Sequence, residues 1–427
     1  MSILLMFLGL FLLVMLNVPI AVSLGVVATV AMVAMSGPDI LPNLALVMYD
    51  GATKFPLLAI PLFILAGAIM NSSGISRRLI AFASALFGFV KGGLAMVNIG
   101  TSLFFAEISG SAVADVAALG SILIPAMKKK GYPGALAAAV TSSSATLAVI
   151  IPPSIPMILY AVMADASVVQ LFVAGIVPGL LGGFLMMCVS YWFAVRFNLP
   201  VEEAFQLPRV WATFKDAAWA FLLPVIILGG IFGGLVTATE GAALAVFAAL
   251  FIGGIIYREL DLPHLREAIM EGGVQTAVVM LLVASSALVG VHLTEQQVPQ
   301  QLAATISDFT QNKYVVLALL NVMFLVLGLF LHSAAAIILV VPIVIPLVNA
   351  VGIDPVHFGL IVTLNLGIGQ QTPPVASVLI TACSVAKANI WEVSKYNIYY
   401  IAVLLFILML VTYIPIIPMG LVYLFYG

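Results

Sequence analysis

Charge is what this sequence has least of. Only 7% of its 427 residues are Asp, Glu, Lys or Arg, against roughly 25% in an ordinary soluble domain, and the formal net charge is -2. No basic run is long enough to follow a phosphate backbone, which excludes a nucleic-acid-binding role. Cysteine is equally scarce. Cys188 and Cys383 lie far apart inside apolar segments, where they read as small buried hydrophobes and not as a disulfide or metal pair. No glycine loop ending in Lys-Ser or Lys-Thr is present, which excludes ATP drive within the chain, and no His-Glu-x-x-His or Ser/His/Asp pattern points to an intramembrane enzyme or a cofactor. The first apolar run, Ile3 to Met35, has no basic leading segment and no small-residue cleavage site, so it reads as a retained membrane segment.

What the chain does have is apolar surface. Hydrophobic residues make up 64% of it and the mean hydropathy is +1.26, too much for an aqueous fold to hide. Crossing the ~30 Å hydrocarbon core takes about 20 helical residues, and such runs recur from Ile3 to Tyr413. The fold class expected is therefore all-α integral membrane. Two runs, Gly92 to Met127 and Tyr314 to Ala350, are too long for one span and carry small or polar breaks at Ser109-Gly110-Ser111 and His332-Ser333, so each reads as a helical hairpin, re-entrant or fully crossing. Ser76 to Phe89 and Pro299 to Phe309 look like interfacial amphipathic helices. The longest polar connection, Arg196 to Asp216, divides the chain in two.

The halves repeat. A shift of 221 residues lays Ile124-Pro125 on Ile345-Pro346, Gly131 on Gly352 and Pro152-Pro153 on Pro373-Pro374. The crossings between equivalent points come out odd for either kind of hairpin, which makes the repeat inverted. With the lysine-rich exit of the first hairpin (Lys128, Lys129, Lys130) placed in the cytoplasm, only Lys54 and Lys313 of the 15 lysines and arginines fall outside, as the positive-inside rule requires. Pro19 leaves the first run readable as one bent span or two short passes.

Two segments read as helices broken at mid-membrane: Thr141 to Thr146 followed by Pro152-Pro153-Ser154, and Asn365 to Thr372 followed by Pro373-Pro374. Paired prolines remove backbone donors and push the preceding residue out of the helical region. Unwound backbone is tolerated in a bilayer where it is buried or lines a cavity, and its carbonyls there suit a hard cation such as Na⁺. The alternative for each break is a packed kink whose serines bond their own backbone. Ser109-Gly110-Ser111 can turn N–H groups toward the bilayer centre and favour an anion, a carboxylate solute being the natural guess; it can also be a plain tight turn. Glu107, Asp115 and Glu240 are acids within apolar surroundings and so candidates for ion or substrate contact, or helix caps. His332 is the one histidine placed for a site.

The chain resembles the large membrane subunit of the tripartite ATP-independent periplasmic (TRAP) transporters, within the ion-transporter superfamily. The resemblance rests on Asn17-Val18-Pro19-Ile20-Ala21, Ile60 to Gly67, Ser109-Gly110-Ser111-Ala112-Val113-Ala114-Asp115-Val116 with Ile124-Pro125-Ala126-Met127, Pro152-Pro153-Ser154, Gly234-Leu235-Val236-Thr237-Ala238-Thr239-Glu240 and Pro373-Pro374. It implies an elevator mechanism, Na⁺ as the coupling ion in symport, a separate small four-helix membrane subunit, and a periplasmic substrate-binding protein that delivers an organic acid of the sialic acid or C4-dicarboxylate type across a bacterial or archaeal inner membrane. The division it implies is scaffold and arm at 1–91, transport half one at 92–165, scaffold and second arm at 166–312, transport half two at 313–388, and a last scaffold helix at 389–427. Carried over, one Na⁺ site would use Ser109, Gly110 and Ser111 with Ser142, Ser143, Ser144 and Thr146. The other would use Gly328, Asn365, Gly367, Gly369 and Thr372. Substrate contacts are expected from Ser111, Asp115, Ser154, Gln370 and Gln371. The second hairpin tip carries His332 where many relatives carry an acid, which removes any acid-dependent role there. A stand-alone Na⁺- or H⁺-coupled carrier, or a channel or scaffold subunit, would share much of this pattern.

Overall fold

A computed structural model of the chain describes residues 3–427 apart from 17, 110, 203 and 374–375; the side chains of 3–4, 105–109, 303 and 307–309 are also outside the description. Among the described residues there are helices and turns and no strand. Pro19 divides the first apolar run, standing at the N-cap between α1 (Ile3–Met15) and α2 (Ile20–Ser36), because its missing N–H and fixed φ suit a helix start and not a helix interior. An amphipathic α3 (Leu41–Ala52), which the search for long apolar runs passes over, leads to α4 (Ala59–Ser72).

The first repeat then follows: arm α5 (Ile75–Phe87), hairpin α6 (Gly93–Ser109) and α7 (Ala112–Lys129), broken helix α8 (Gly134–Ala145) and α9 (Ile155–Ala164), and α10 (Val168–Arg196). Three long helices, α11 (Leu207–Phe232), α12 (Ala238–Phe251) and α13 (Leu262–Glu295), come before the second. That repeat is arm α14 (Val298–Phe309), hairpin α15 (Lys313–Phe330) and α16 (Ser333–Ala350), broken helix α17 (Pro355–Gly369) and α18 (Ser377–Ala386), and α19 (Ile390–Tyr413). A terminal α20 (Ile416–Tyr426), also unforeseen, ends the chain. Shifted by 221, α7 falls on α16 at both ends, and Gly131 and Gly352 both turn the chain at positive φ, 85° and 69°. Among the described residues eight helices are long and apolar enough to cross a membrane.

The helices sort into two packing groups. In one, α13 lies against α2, α3 and α4, and α12 joins α4 to α11. In the other, the repeats interlock: α9 of the first packs on α16 of the second, and α18 of the second packs on α7 and α8 of the first. Residues 166–196 and 389–427, expected in the scaffold, pack in this second group. Helix α10 lies on α6, α9 and α17, and α19 lies on α8 and α17, with the buried Tyr400 hydroxyl 2.8 Å from Ser190.

Arm α5 bridges the groups. It packs on α6 and on α11, where Phe82 meets Phe221 edge-on at 5.1 Å. Arg77 and Arg78 both reach Glu259 at 2.8 Å, in the turn between α12 and α13, and the Arg78 guanidinium lies 3.8 Å from the Tyr257 ring centre. The Arg78 hydrogen bond is the main cause that holds the Glu259 carboxyl below its ordinary range. Of the readings open for Glu240, the structure has the helix start: it is exposed and completes a capping box with Thr237 at the start of α12, its carboxylate accepting from the Thr237 N–H at 2.8 Å. Both cysteines are free.

Candidate functional site

The breaks lie later in the chain than the serine and asparagine runs. Thr141 to Ala145 are the last helical turn of α8, followed by a 3₁₀ turn at Thr146–Val149, and the chain unwinds only from Ile150 to Ser154, with a cis bond between Pro152 and Pro153. In the second half α17 persists through Gly369, and the chain turns at Gln370, Gln371 and Thr372 ahead of Pro373. The prolines explain this. A proline cannot donate into the turn before it, so the helix ends one turn upstream of the pair and the polar run stays helical.

Those polar side chains form a buried seam across α6, α8, α15, α17 and α19. Asn98 on α6 donates to Thr141 at 2.7 Å, and Ser102 on α6 donates to Ser144 at 2.9 Å. Ser143 donates to Asn397 on α19 at 2.7 Å, while Asn397 donates to the Gln371 carbonyl at 3.0 Å, so α19 clamps both breaks. Gln371 also donates to Thr146, joining the two breaks directly. In the second half Asn365 donates to Asn321 on α15 at 2.7 Å, and Asn321 donates to Thr412 on α19 at 3.1 Å. Ser144 and Asn365 are equivalent under the repeat, so each broken helix bonds its own hairpin at the same place. Asn98, Ser102, Asn321, Asn397 and Thr412 were missed in the sequence, although a lone amide or hydroxyl deep in an apolar run is the signal that marks them.

Glycine sets the closest approaches. A Cβ on Gly369 would lie 2.4 Å from Gly328 Cα, and one on Gly367 would lie 2.9 Å from Thr146 Cγ2. The expected members of the second set, Gly328, Asn365, Gly367 and Gly369, are thus together where α15 crosses α17 and α17 meets the first break. Thr372 donates to Ile368 O at 2.9 Å. Ser142, Ser143, Ser144 and Thr146 are all buried, with Ser142 donating to Ala139 O and Thr146 to Ser142 O. The Ser109 side chain, Gly110, the Glu107 side chain and Pro374 lie outside the described residues. Among the buried side-chain oxygens without a partner in the described residues are Thr101 Oγ1 on α6, Asn365 Oδ1 on α17 and Gln371 Oε1 in the turn that follows it.

Beside this seam is a cavity of about 790 Å³ between the two packing groups, within the range that holds small molecules. One wall is α4 and α13, with Asn71, Glu271 and Gln275; the other carries Ser111, His332, Ser333, Gln370 and Ser377. Four helices begin on that second wall. Ala112 of α7, Ile155 of α9, Ser333 of α16 and Ser377 of α18 all line the cavity, which the interlocked packing of α9 on α16 and α18 on α7 makes possible. Of the expected substrate contacts, Ser111 and Gln370 face this space. Asp115 is buried in the first turn of α7 beneath the tip. Ser154 is committed to the break: its hydroxyl donates to Val149 O at 2.7 Å and caps α9 at the Met157 N–H. Gln371 is committed to Thr146 and is likewise off the cavity wall. Among the described residues no group of three or more His, Cys, Asp and Glu is arranged to hold a metal.

A family model described as "Tripartite ATP-independent periplasmic transporter, DctM component" matches residues 7–417. The chain is 41% identical over 94% of its length to the isethionate TRAP transporter permease protein DctMQ of Oleidesulfovibrio alaskensis, of which it covers 64%. It is 39% identical to the C4-dicarboxylate TRAP transporter large permease protein DctM of Pseudomonas aeruginosa, with 93% of each chain covered. To the 2,3-diketo-L-gulonate TRAP transporter large permease protein YiaN of Escherichia coli it is 37% identical, over 87% of this chain and 88% of that one. The fold is also that of the solved YdaH transporter of Alcanivorax borkumensis, with a TM-score of 0.64 at 16% identity over 90% of both chains. The hairpins, matched breaks and membrane-length helices therefore have a family as well as a fold: the chain belongs to the DctM large permease family of the tripartite ATP-independent periplasmic transporters, multi-pass membrane proteins of secondary transport.

Proposed function

We propose that this permease takes up a small organic acid across the inner membrane, driven by Na⁺, after a periplasmic binding protein delivers it to a complex with a small membrane subunit. The observation that carries the reading is the convergence of four helix N-termini on one cavity whose described lining contains no Lys or Arg. Each N-terminus acts as roughly half a positive charge with N–H groups left unpaired by the helix. Such a wall attracts a carboxylate or sulfonate without the desolvation cost of a buried ammonium or guanidinium. The compounds named for the relatives, isethionate, C4-dicarboxylates and 2,3-diketo-L-gulonate, are acids of this kind and size, and they support that class over a larger sugar acid such as sialic acid.

Na⁺ coupling is supported by the oxygens that end without donors, Thr101 Oγ1, Asn365 Oδ1 and Gln371 Oε1, in a seam built of hydroxyls and amides. A hard cation takes oxygen ligands of this type, and leaving them unmet in a membrane interior costs free energy. In this reading Ser142, Ser143, Ser144 and Thr146 with the Ser109–Ser111 tip serve one ion, and Gly328, Asn365, Gly367, Gly369 and Thr372 serve the other. The cavity's position between two packing groups fits an elevator, in which hairpins, broken helices, α10, α19 and α20 slide along α4 and α13.

The test is uptake of radiolabelled isethionate, succinate and 2,3-diketo-L-gulonate into proteoliposomes, with the small subunit and binding protein present or omitted and an inward Na⁺ gradient imposed or absent. Uptake that needs all three is expected. Uptake by this chain alone would replace the tripartite reading with that of a stand-alone carrier, and unsaturable flux indifferent to Na⁺ would replace it with a channel.

A further inference from the structure

The cavity wall includes one side chain whose chemistry the helix N-termini do not account for. His332 stands at the N-cap of α16 in extended backbone, φ -63° and ψ 145°, but its side chain makes no capping bond. Its carbonyl accepts from the Ala336 N–H at 3.1 Å, but among the described residues the imidazole has no hydrogen-bond partner, and the residue is exposed and lines the cavity. An N-cap side chain ordinarily accepts from the first turn, as Ser154 does for α9. At the second hairpin tip, both the first-turn N–H groups of α16 and the imidazole are left to whatever occupies the cavity.

A second, separate observation lies on the same wall. Gln370 is 3% exposed, lines the cavity, and its Nε2 has no acceptor among the described residues. Its backbone is held at both ends: its N–H donates to Leu366 O and its carbonyl accepts from Val378 N, each at 3.1 Å. A buried amide donor that bonds nothing costs free energy, and these two bonds fix the backbone that carries it. The described ionisable residues of the cavity lining are His332 and Glu271, which is on the opposite, scaffold wall.

The geometry points to His332 as a substrate-contacting, specificity-determining residue, which with Gln370 and the start of α16 binds the acidic group of the transported molecule. This inference rests on the organic-acid reading above and adds to it where the acid group sits. A neutral imidazole N–H and an amide N–H beside the first turn of a helix offer several donors and no fixed charge, which suits a planar carboxylate or a sulfonate with at least two free oxygens. It places the acidic end at the second hairpin, and turns the remainder of the molecule toward Asn71, Gln275 and Glu271. Glu271 would repel a second anionic group there and accept from a hydroxyl, so the cavity favours a hydroxylated monoanion over a dianion.

The experiment measures initial uptake rates in proteoliposomes of the complete transporter, with radiolabelled isethionate, 2,3-diketo-L-gulonate and succinate as probes, for the wild type and for His332→Ala, His332→Asn and His332→Gln. Removal of the donor is expected to raise KM for the transported acid at least about 10-fold, the range for a lost hydrogen bond to a charged group, with the Na⁺ concentration for half-activation unchanged. Either Asn or Gln, which restores a donor near Nδ1 or Nε2, is expected to recover most of that loss. An alanine variant with wild-type KM, or Asn and Gln variants as defective as alanine, would overturn the contact while leaving organic-acid transport intact. A wild type that moves none of the three acids under an inward Na⁺ gradient would overturn the acid reading and this inference with it.

Discussion

The close backbone contact between α15 and α17 makes Gly369→Ala an informative single change. The new Cβ would lie 2.4 Å from both Gly328 Cα and Gly328 C and 2.7 Å from Gly328 O, against 3.4–4 Å for ordinary contact. The clashing atoms are main chain, so no rotamer change relieves them, and α15 must move away from α17 by about 1 Å. That movement stretches the Asn365 to Asn321 bond, now 2.7 Å, which joins the same two helices. Overpacking of this type costs about 1–3 kcal/mol, and a weakened buried hydrogen bond adds about 1 kcal/mol. The reciprocal Gly328→Ala places its Cβ 3.0 Å from Gly369 Cα and should be milder, and Gly229→Ala on α11, with nothing within 4 Å, should be neutral. Thermal denaturation of the purified protein with and without Na⁺, followed by Na⁺ activation of uptake, provides the ranking. A Gly369→Ala protein as stable as Gly229→Ala, with unaltered Na⁺ activation, would refute the contact and its place in the second ion site.

Three further outcomes follow from other parts of the molecule. Replacing Pro152 and Pro153 with alanines restores backbone donors and lets α8 extend through Ile150–Ser154, so Na⁺ activation of uptake should weaken, and unchanged activation would remove the first break from ion coupling. Glu259 is held below the usual carboxylate range chiefly by its Arg78 hydrogen bond. Its stabilisation is thus complete above the ordinary carboxylate pKa and is lost as pH falls through the lowered value. Glu259→Gln should accordingly lower thermal stability at neutral pH and show no difference from wild type in acid; a gap that persists at low pH would argue against the ion pair. A single cysteine at Lys129 in a Cys188→Ala, Cys383→Ala background should react with an impermeant thiol reagent only from the cytoplasmic side, and labelling from outside would reverse the topology.

Much of the fold was readable from local chemistry. The arms, hairpins and repeat came from short features with unambiguous backbone consequences: a glycine at Gly131 and Gly352, a proline pair, a small polar break in an over-long apolar run. α3 and α20 escaped because one is amphipathic and the other short, so neither stands out in hydropathy. The placement of the breaks was read too early for a physical reason, since serine and asparagine runs look like helix breakers when a helix interior can in fact satisfy them through neighbouring helices. Glu240 reads in the sequence either as an intramembrane acid or as a helix cap, because its capping partner, Thr237, lies only three residues before it in an apolar setting; the distinction is made by where the helix begins.

By itself the sequence determined the solvent, the helices and the repeat. Those are consequences of composition and of backbone restrictions that act within a few residues. The tertiary structure decided what the breaks touch. Only the crossing of α9 onto α16 and α18 onto α7 brings four helix starts to one cavity, and only the packing of α19 against both broken helices lets Asn397 join Ser143 to Gln371. Contacts between residues hundreds of positions apart depend on which apolar faces meet, and a chain that is apolar on nearly every face carries little local information about that choice.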